Sequence, residues 1–176
     1  MTQATAIERQ TVLRLSQVLA TIALLAIGCA PVHAARPRTA HSATLAQLVA
    51  SGSSAGPDSP EHRCLARAVY AEAKSEPILG QLAVAQVIIN RTRAGGRFPN
   101  SVCGVVTQPG QFADLRTLAI DYSAATWKQA VGIARVAMAN QWRQVAANAL
   151  YFHATYVAPA WPFTRVGSIG RHVFYR

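Results

Sequence analysis

The sequence has 176 residues, of which 51% are hydrophobic and 14% charged, with 17 Lys and Arg against 7 Asp and Glu and a formal net charge of +10. That is one domain's length with enough apolar content for a real core, which excludes a chain too polar to fold. The positive balance favours polyanionic partners, but the arginines are scattered singly with no basic run, which argues against nucleic acid.

At the N-terminus, Arg9 and Arg14 precede a weakly polar run from Val18 to Ala30. A membrane-spanning helix takes about 20 residues, and this run is shorter. Pro31-Val32-His33-Ala34-Ala35 follows, with small residues where a signal peptidase cuts. Residues 1–34 therefore read as an export signal cleaved after Ala34, leaving no stable membrane insertion. An uncleaved anchor and acylation at Cys29, behind Ala26-Ile27-Gly28, are the alternatives. With Cys29 removed or lipidated, Cys64 and Cys103 remain, and an even number in an oxidising compartment reads as one disulfide. In the chain-entropy model it constrains the unfolded state by roughly 3–4 kcal/mol; two buried thiols are the alternative. Residues 35–60, rich in Ala, Ser, Thr, Gly and Pro, read as a flexible linker with room for a short helical patch at Leu45–Val49.

The folded domain is expected over 61–176. Asp58 or Ser59 caps a first helix, Pro60 takes its first position and Glu61 favours its first turn. At 100° per residue, Leu65, Ala68, Val69, Glu72 and Glu76 fall in one stripe, opposite Arg63, Arg67, Tyr70 and Lys74. Two carboxylates thus extend an apolar face, and the pattern sends at least one of them to the interior or a cleft wall. A carboxyl group held beside apolar surface retains a proton more readily, as a general acid must. The helix should end at Glu76-Pro77.

A second helix runs from Ile78 or Gly80 to Arg91, apolar nearly all round and therefore buried. Its Gln86 and Asn90 need partners, most simply backbone or loop groups. Arg93 to Asn100 is a turn region, Ser101–Thr107 a short helix or extended piece, and Gln108-Pro-Gly another turn. A third helix spans Ala124–Ala139 with Trp127, Ala130, Val131, Ala134, Ala137 and Met138 inside. Ala149–His153 and Ile169–Tyr175 are rich in β-formers and read as a hairpin or small sheet. The fold class is α+β, mainly α.

From Arg63 onward the only carboxylate side chains are Glu72, Glu76, Asp114 and Asp121. Asp121 precedes the third helix as a cap or first-turn charge, and Glu76 at a helix end can bond loop amides. Glu72 has no such structural role in the pattern, so it is either catalytic or a buried carboxylate paired with an arginine. His62, His153 and His172 lack the spacing of a zinc hydrolase, and no Gly-x-Ser-x-Gly turn or Gly-rich phosphate loop is present.

Val-Tyr-Ala-Glu-Ala-Lys-Ser-Glu-Pro, Gly-Gln-Leu-Ala-Val-Ala-Gln-Val-Ile-Ile-Asn-Arg, Arg-Phe-Pro-Asn-Ser-Val-Cys-Gly-Val-Val and Gln-Phe occur in that order. Together they resemble the catalytic domain of the SleB-like cell wall hydrolases, the spore cortex-lytic family. Tyr-Phe-His-Ala-Thr-Tyr-Val-Ala-Pro-Ala-Trp and Ile-Gly-Arg-His-Val-Phe-Tyr-Arg resemble its Gram-negative version. The resemblance covers about residues 62–176 and implies a lysozyme-like or lytic-transglycosylase-like helical core acting on peptidoglycan glycan strands in the periplasm. It places the family's catalytic Glu on Glu72, which would protonate the MurNAc–GlcNAc glycosidic oxygen and then deprotonate the muramoyl 6-hydroxyl, giving a 1,6-anhydro product. One carboxyl group serves both steps if the substrate's N-acetyl group stabilises the oxocarbenium-like centre.

Relatives often carry a second Cys pair near Gln-Phe, and spore enzymes add a binding repeat; this sequence has neither. For substrate contacts the reading selects Glu76, Gln111, Tyr151, His153, Tyr156 and Trp161, since aromatic faces stack on sugars and amides bond acetamido groups; each is equally compatible with core packing. It implies a monomer with no cofactor and no metal. An N-acetylmuramoyl-L-alanine amidase and a non-catalytic wall-binding module are the rival functions.

Overall fold

The computed structural model describes residues 42–176. The export signal and Cys29 fall outside the described residues. The described elements are α1 (Leu45–Gly52), α2 (Pro60–Ala73), α3 (Ile78–Ala94), α4 (Val102–Val106), α5 (Ala125–Met138), β1 (Tyr151–Ala154), β2 (Arg165–Ile169) and β3 (His172–Tyr175). The strands form one antiparallel sheet in the order β1-β3-β2, with a bulge at Arg165/Gly167. This is the expected α+β fold, mainly α, and the hairpin resolves into a three-stranded sheet.

α3 is the central element. Every residue from Gly80 to Arg91 is buried, so its three side-chain amides need partners within the protein; Gln81 donates from Nε2 to the Glu76 carbonyl (2.9 Å), while its Oε1 has no protein partner among the described residues. Gln86 donates from Nε2 to the Arg143 carbonyl (2.9 Å) and accepts from the Val145 N–H (2.9 Å), while Asn90 Nδ2 donates to the Ala149 carbonyl (3.1 Å). These bonds draw the irregular chain between α5 and the sheet onto the helix, as the backbone-satisfying reading of both residues requires.

α2 starts as expected: Ser59 caps it by accepting from the His62 N–H, with Pro60 at the first position. Its buried surface is wider than the single stripe, because α3, α4 and α5 all pack on it. Tyr70, expected outside, is buried against Trp127 (centroids 6.1 Å apart), and the helix ends at Ala73, three residues short of Glu76. On α5 the inner stripe holds except for Met138, which is exposed; Ile133 and Val136 are buried instead. Asp121 holds the Ser123 N–H and hydroxyl in the preceding turn and does not cap α5. Cys64 and Cys103 are joined (S–S 2.07 Å), tying α2 to α4.

The expected linker over 35–60 needs correction in its second half. Thr44 and Gln47 form a reciprocal capping box at the start of α1, and Leu45 and Val49 are buried. The helix packs on α5 at Gly132, where a Cβ would come within 2.1 Å of the Val49 carbonyl oxygen. Arg135 then holds the chain leaving α1, donating to the carbonyls of Gly52 and Gly56 and pairing with Asp58. Asp58 also faces the Nδ1 of buried His62, whose Nε2 donates to the Val131 carbonyl. The helical patch expected at Leu45–Val49 is present and extends to Gly52; low-complexity composition concealed its docking because its core-facing surface is only a few residues long. Gly132→Ala should displace α1 and cost about 1–3 kcal/mol. Calorimetry should show the lower melting temperature, and limited proteolysis should show new cleavage around residues 53–56.

Candidate active site

The site lies where the C-terminal end of α2 meets the loop after α4. Glu72, on the last turn of α2, is half-buried. Its Oε1 accepts a hydrogen bond from the Ala113 N–H at 2.9 Å. Among the described residues no donor bonds its Oε2, and no cation lies within ion-pair distance. One oxygen is therefore fixed by a backbone dipole while the other has no donor among the described residues.

Glu76 sits one turn farther on and is its opposite. It is 7% exposed, and both oxygens are taken: Oε2 accepts from the Arg171 N–H (2.7 Å) and Oε1 from Arg171 Nε (3.0 Å). Arg171 also reaches the Ser75 hydroxyl. The turn between β2 and β3 approaches so closely that a Cβ on Gly170 would come within 2.1 Å of Glu76 Oε2, and Gly170 has φ +58°. Burial raises the carboxyl's pKa, but the backbone and side-chain bonds from Arg171 outweigh it and bring it below the ordinary value of 4.5. The expectation that Glu76 contacts substrate is thus corrected: it holds the sheet to the helices and has no free oxygen.

The two remaining carboxylates are exposed. Asp114 is paired with Arg116 (Oδ1 to Nε, 3.1 Å), which lowers its pKa chiefly through that side-chain bond. Asp121 is occupied with Ser123. Of the four, Glu72 alone combines partial burial, an oriented oxygen and an unoccupied one; Glu61, in the first turn of α2, shares that partner set, its Oε2 accepting from the Cys103 N–H at 3.1 Å. A depression of about 500 Å³ is lined by Val106, Gln108, Phe112, Ala113, Leu115 and Arg116, all from the α4 end and the loop after it. Glu72 does not line it, although its hydrogen-bond partner Ala113 does.

The aromatic candidates gather on one face of the sheet. Tyr151 stacks on Phe163 (3.9 Å, 7° between planes), and Trp161 stands edge-on to His153 (5.3 Å) and Tyr175 (5.7 Å). The bond from His153 Nδ1 to the Ala154 carbonyl places the proton on Nδ1, so Nε2 accepts from the Tyr175 hydroxyl. Both ring nitrogens are thus engaged. Tyr156 stands apart, 87% exposed in the β1–β2 loop. Gln111 is exposed on the loop that carries Ala113, with its Oε1 bonded by Arg91 Nη1.

Sequence reasoning missed Phe163 and Tyr175 in the aromatic face, Arg91 beneath it, and the Ala113 N–H on Glu72. A backbone donor leaves no residue-type signal, and an arginine in a helix's last turn reads as a complement to the helix dipole. His172 is buried between Phe152 and Phe174, its Nδ1 without a protein partner among the described residues, and burial lowers its pKa. Among the described residues no group of three or more His, Cys, Asp or Glu side chains comes together.

A family model described as cell wall hydrolase matches residues 75–175, beginning three residues after Glu72. The chain is 36% identical over 113 residues to the spore cortex-lytic enzyme of Bacillus cereus, covering 62% of this chain and 42% of that one. It is 34% identical over 131 residues to the Bacillus subtilis enzyme of the same name, covering 72% and 41%. The match thus spans about two fifths of these curated relatives' length. The solved catalytic domain of the germination-specific lytic transglycosylase SleB from Bacillus anthracis superposes with a TM-score of 0.53 at 35% identity, covering 66% of this chain and 93% of that one. The Bacillus cereus SleB catalytic domain gives 0.52 at 34%, covering 66% and 89%.

Because the folded pKa of Glu76 is depressed, its contribution to stability is present above the ordinary glutamate range and is lost as pH falls through the folded value. The melting temperature should therefore fall below about pH 4.5, and Glu76→Gln should flatten that limb. At neutral pH, Glu76→Gln should cost about 2 kcal/mol by urea denaturation, the loss of one charge-assisted bond to a charged group.

Proposed function

The chain belongs to the cell wall hydrolase family, and from that premise we propose that it cleaves the MurNAc–GlcNAc bond of peptidoglycan as a lytic transglycosylase, with Glu72 as both acid and base. We further propose that it does so in the periplasm of a Gram-negative cell, exported by residues 1–34. The observation carrying the mechanism is the partner set of Glu72. The Ala113 N–H fixes Oε1, so a proton on Oε2 has a defined direction, the geometry proton transfer to a bridging oxygen needs.

As the bond from muramoyl C1 to the glycosidic oxygen breaks, the Glu72 proton passes to that oxygen and frees the GlcNAc 4-hydroxyl. The substrate's own N-acetyl oxygen stabilises C1. Glu72, now ionised, takes the proton of the muramoyl 6-hydroxyl as that oxygen bonds to C1, which closes the 1,6-anhydro ring and returns the acid. No water is consumed. A protein nucleophile would need a second carboxylate about 5 Å from the acid, and neither sealed Glu76 nor arginine-paired Asp114 offers a free one. The aromatic face of Tyr151, Trp161, Phe163 and Tyr175, with exposed Tyr156 beyond it, supplies flat apolar surface for sugar rings.

The test is mass spectrometry of fragments released from purified sacculi. Anhydromuramoyl ends are expected from the wild type; Glu72→Gln should fold normally and lose at least about 100-fold in rate, while Asp114→Asn should stay within about threefold of wild type. Reducing muramic ends would make water the acceptor, and a sharp loss in Asp114→Asn would make that residue its base. Free stem peptides, abolished by chelator, would indicate an amidase. Binding to sacculi without soluble products would indicate a wall-binding module.

A further inference from the structure

Arg91 ends the buried run of α3 with only 4% of its surface exposed, and among the described residues no carboxylate pairs with it. Burying an unpaired cation is costly unless its surroundings replace water. Here Nε donates to the Leu150 carbonyl at 2.7 Å and Nη1 donates to Gln111 Oε1 at 3.2 Å. The rings of Phe98, Phe112 and Tyr151 surround the guanidinium with centroids 5.0, 5.2 and 5.6 Å away. Burial pulls its pKa below the ordinary arginine value, yet a guanidinium does not deprotonate in a protein.

An apolar side chain would fill this volume without the desolvation cost, and such replacements are often neutral for stability. It could not hold Gln111. That residue lies two positions before Ala113, the donor to Glu72, and Phe112 between them is fixed on the guanidinium and against Phe152 (6.4 Å). No helix or strand covers residues 107–124. The segment depends on side-chain anchors: Gln108 to the Arg97 carbonyl, Arg67 to the Leu115 carbonyl, and Arg91 next to Glu72's partner.

We propose that Arg91 is a positioning residue for Glu72: it fixes the Gln111–Ala113 stretch so that the Ala113 N–H holds Oε1 and leaves Oε2 toward the substrate. This rests on the reading of Glu72 as the acid. An indirect role of this kind affects the chemical step more than ground-state binding, since displacement by about 1 Å costs on the order of 100-fold.

The experiment measures kcat and KM separately on soluble glycan strands, with a thermal melt of each protein, for wild type, Arg91→Met, Arg91→Lys, Gln111→Ala and the Arg91→Met/Gln111→Ala double variant. Arg91→Met should lower kcat about 10- to 100-fold with KM within about threefold. Arg91→Lys keeps the charge but not the planar fork and should lose less. Gln111→Ala should lower kcat in the same direction, and the double variant should be no worse than Arg91→Met. A folded Arg91→Met with wild-type kcat overturns the proposal, as do additive losses or a Gln111→Ala variant that raises KM with kcat intact. If Arg91→Met does not fold, the Gln111→Ala result decides alone, because that side chain is exposed. Glu72→Gln in the same series separates the two levels: if it is active, the reading of the site fails; if it is inactive beside a fully active Arg91→Met, only the positioning role fails.

Discussion

The Glu76–Arg171 bridge is the interaction on which the rest of the arrangement depends. The sheet is small and its inner face carries Phe152, His172 and Phe174, too little apolar surface to fold independently. Beside the packing of Phe174, Phe152, Val166 and Ile169 on the helical core, a few polar ties fix its position: Glu76 to Arg171, Asn90 to the Ala149 carbonyl and Arg91 to the Leu150 carbonyl. The first of these has a buried carboxylate, and its partner donates both a backbone and a side-chain N–H. Gly170 is part of the same device, because only a residue without Cβ lets the turn reach the carboxylate. Removing the carboxylate would leave a backbone N–H unpaired in a confined place, which is why charge and geometry are coupled here.

Glu72 and Glu76 illustrate how partner sets separate residues that look alike. They are four positions apart with the same chemistry in isolation. One has both oxygens bonded by an arginine's backbone and side-chain N–H groups; the other has a single neutral donor on one oxygen. The first is stabilised as an anion and has no proton to give near neutrality. The second retains an oxygen that no donor bonds among the described residues. Assigning roles by environment rather than by residue type is what divides a structural acid from a working one.

The helices were legible because each carries its own evidence: Ser59-Pro60 at a start, an apolar α3 with two amides facing polar groups, and Trp127 with its i+3 and i+4 partners. Glu72 is singled out in the sequence by elimination, since so few acids compete with it, and its partner set differs from those of Glu76, Asp114 and Asp121. What escaped has physical reasons. The docking of α1, though not its helical patch, hides in low-complexity composition, since it depends on Gly132, eighty positions away, whose missing Cβ cannot be read as a contact site. Tyr70 seemed external because a one-stripe model cannot represent a helix packed on several sides. Glu76 seemed a substrate contact because its true partner lies on a turn that only the fold brings near.

With Glu72 read as the acid, as proposed, Arg91 completes the logic of the site. A second carboxylate beside Glu72 would raise the cost of ionising either group, whereas a cation within ion-pair distance would hold Glu72 ionised and leave it no proton to donate. The structure avoids both. Its cation is placed a loop away, wrapped in aromatic rings and spent on an amide oxygen, so its fork geometry reaches the site while its charge is not paired with the acid. The loop that transmits this geometry has no secondary structure of its own, and its anchors combine directional bonds from arginines and an amide with apolar packing of Phe112 and buried Leu115. Precision at Glu72 therefore derives from hydrogen-bond direction, which an apolar core of equal stability would not supply.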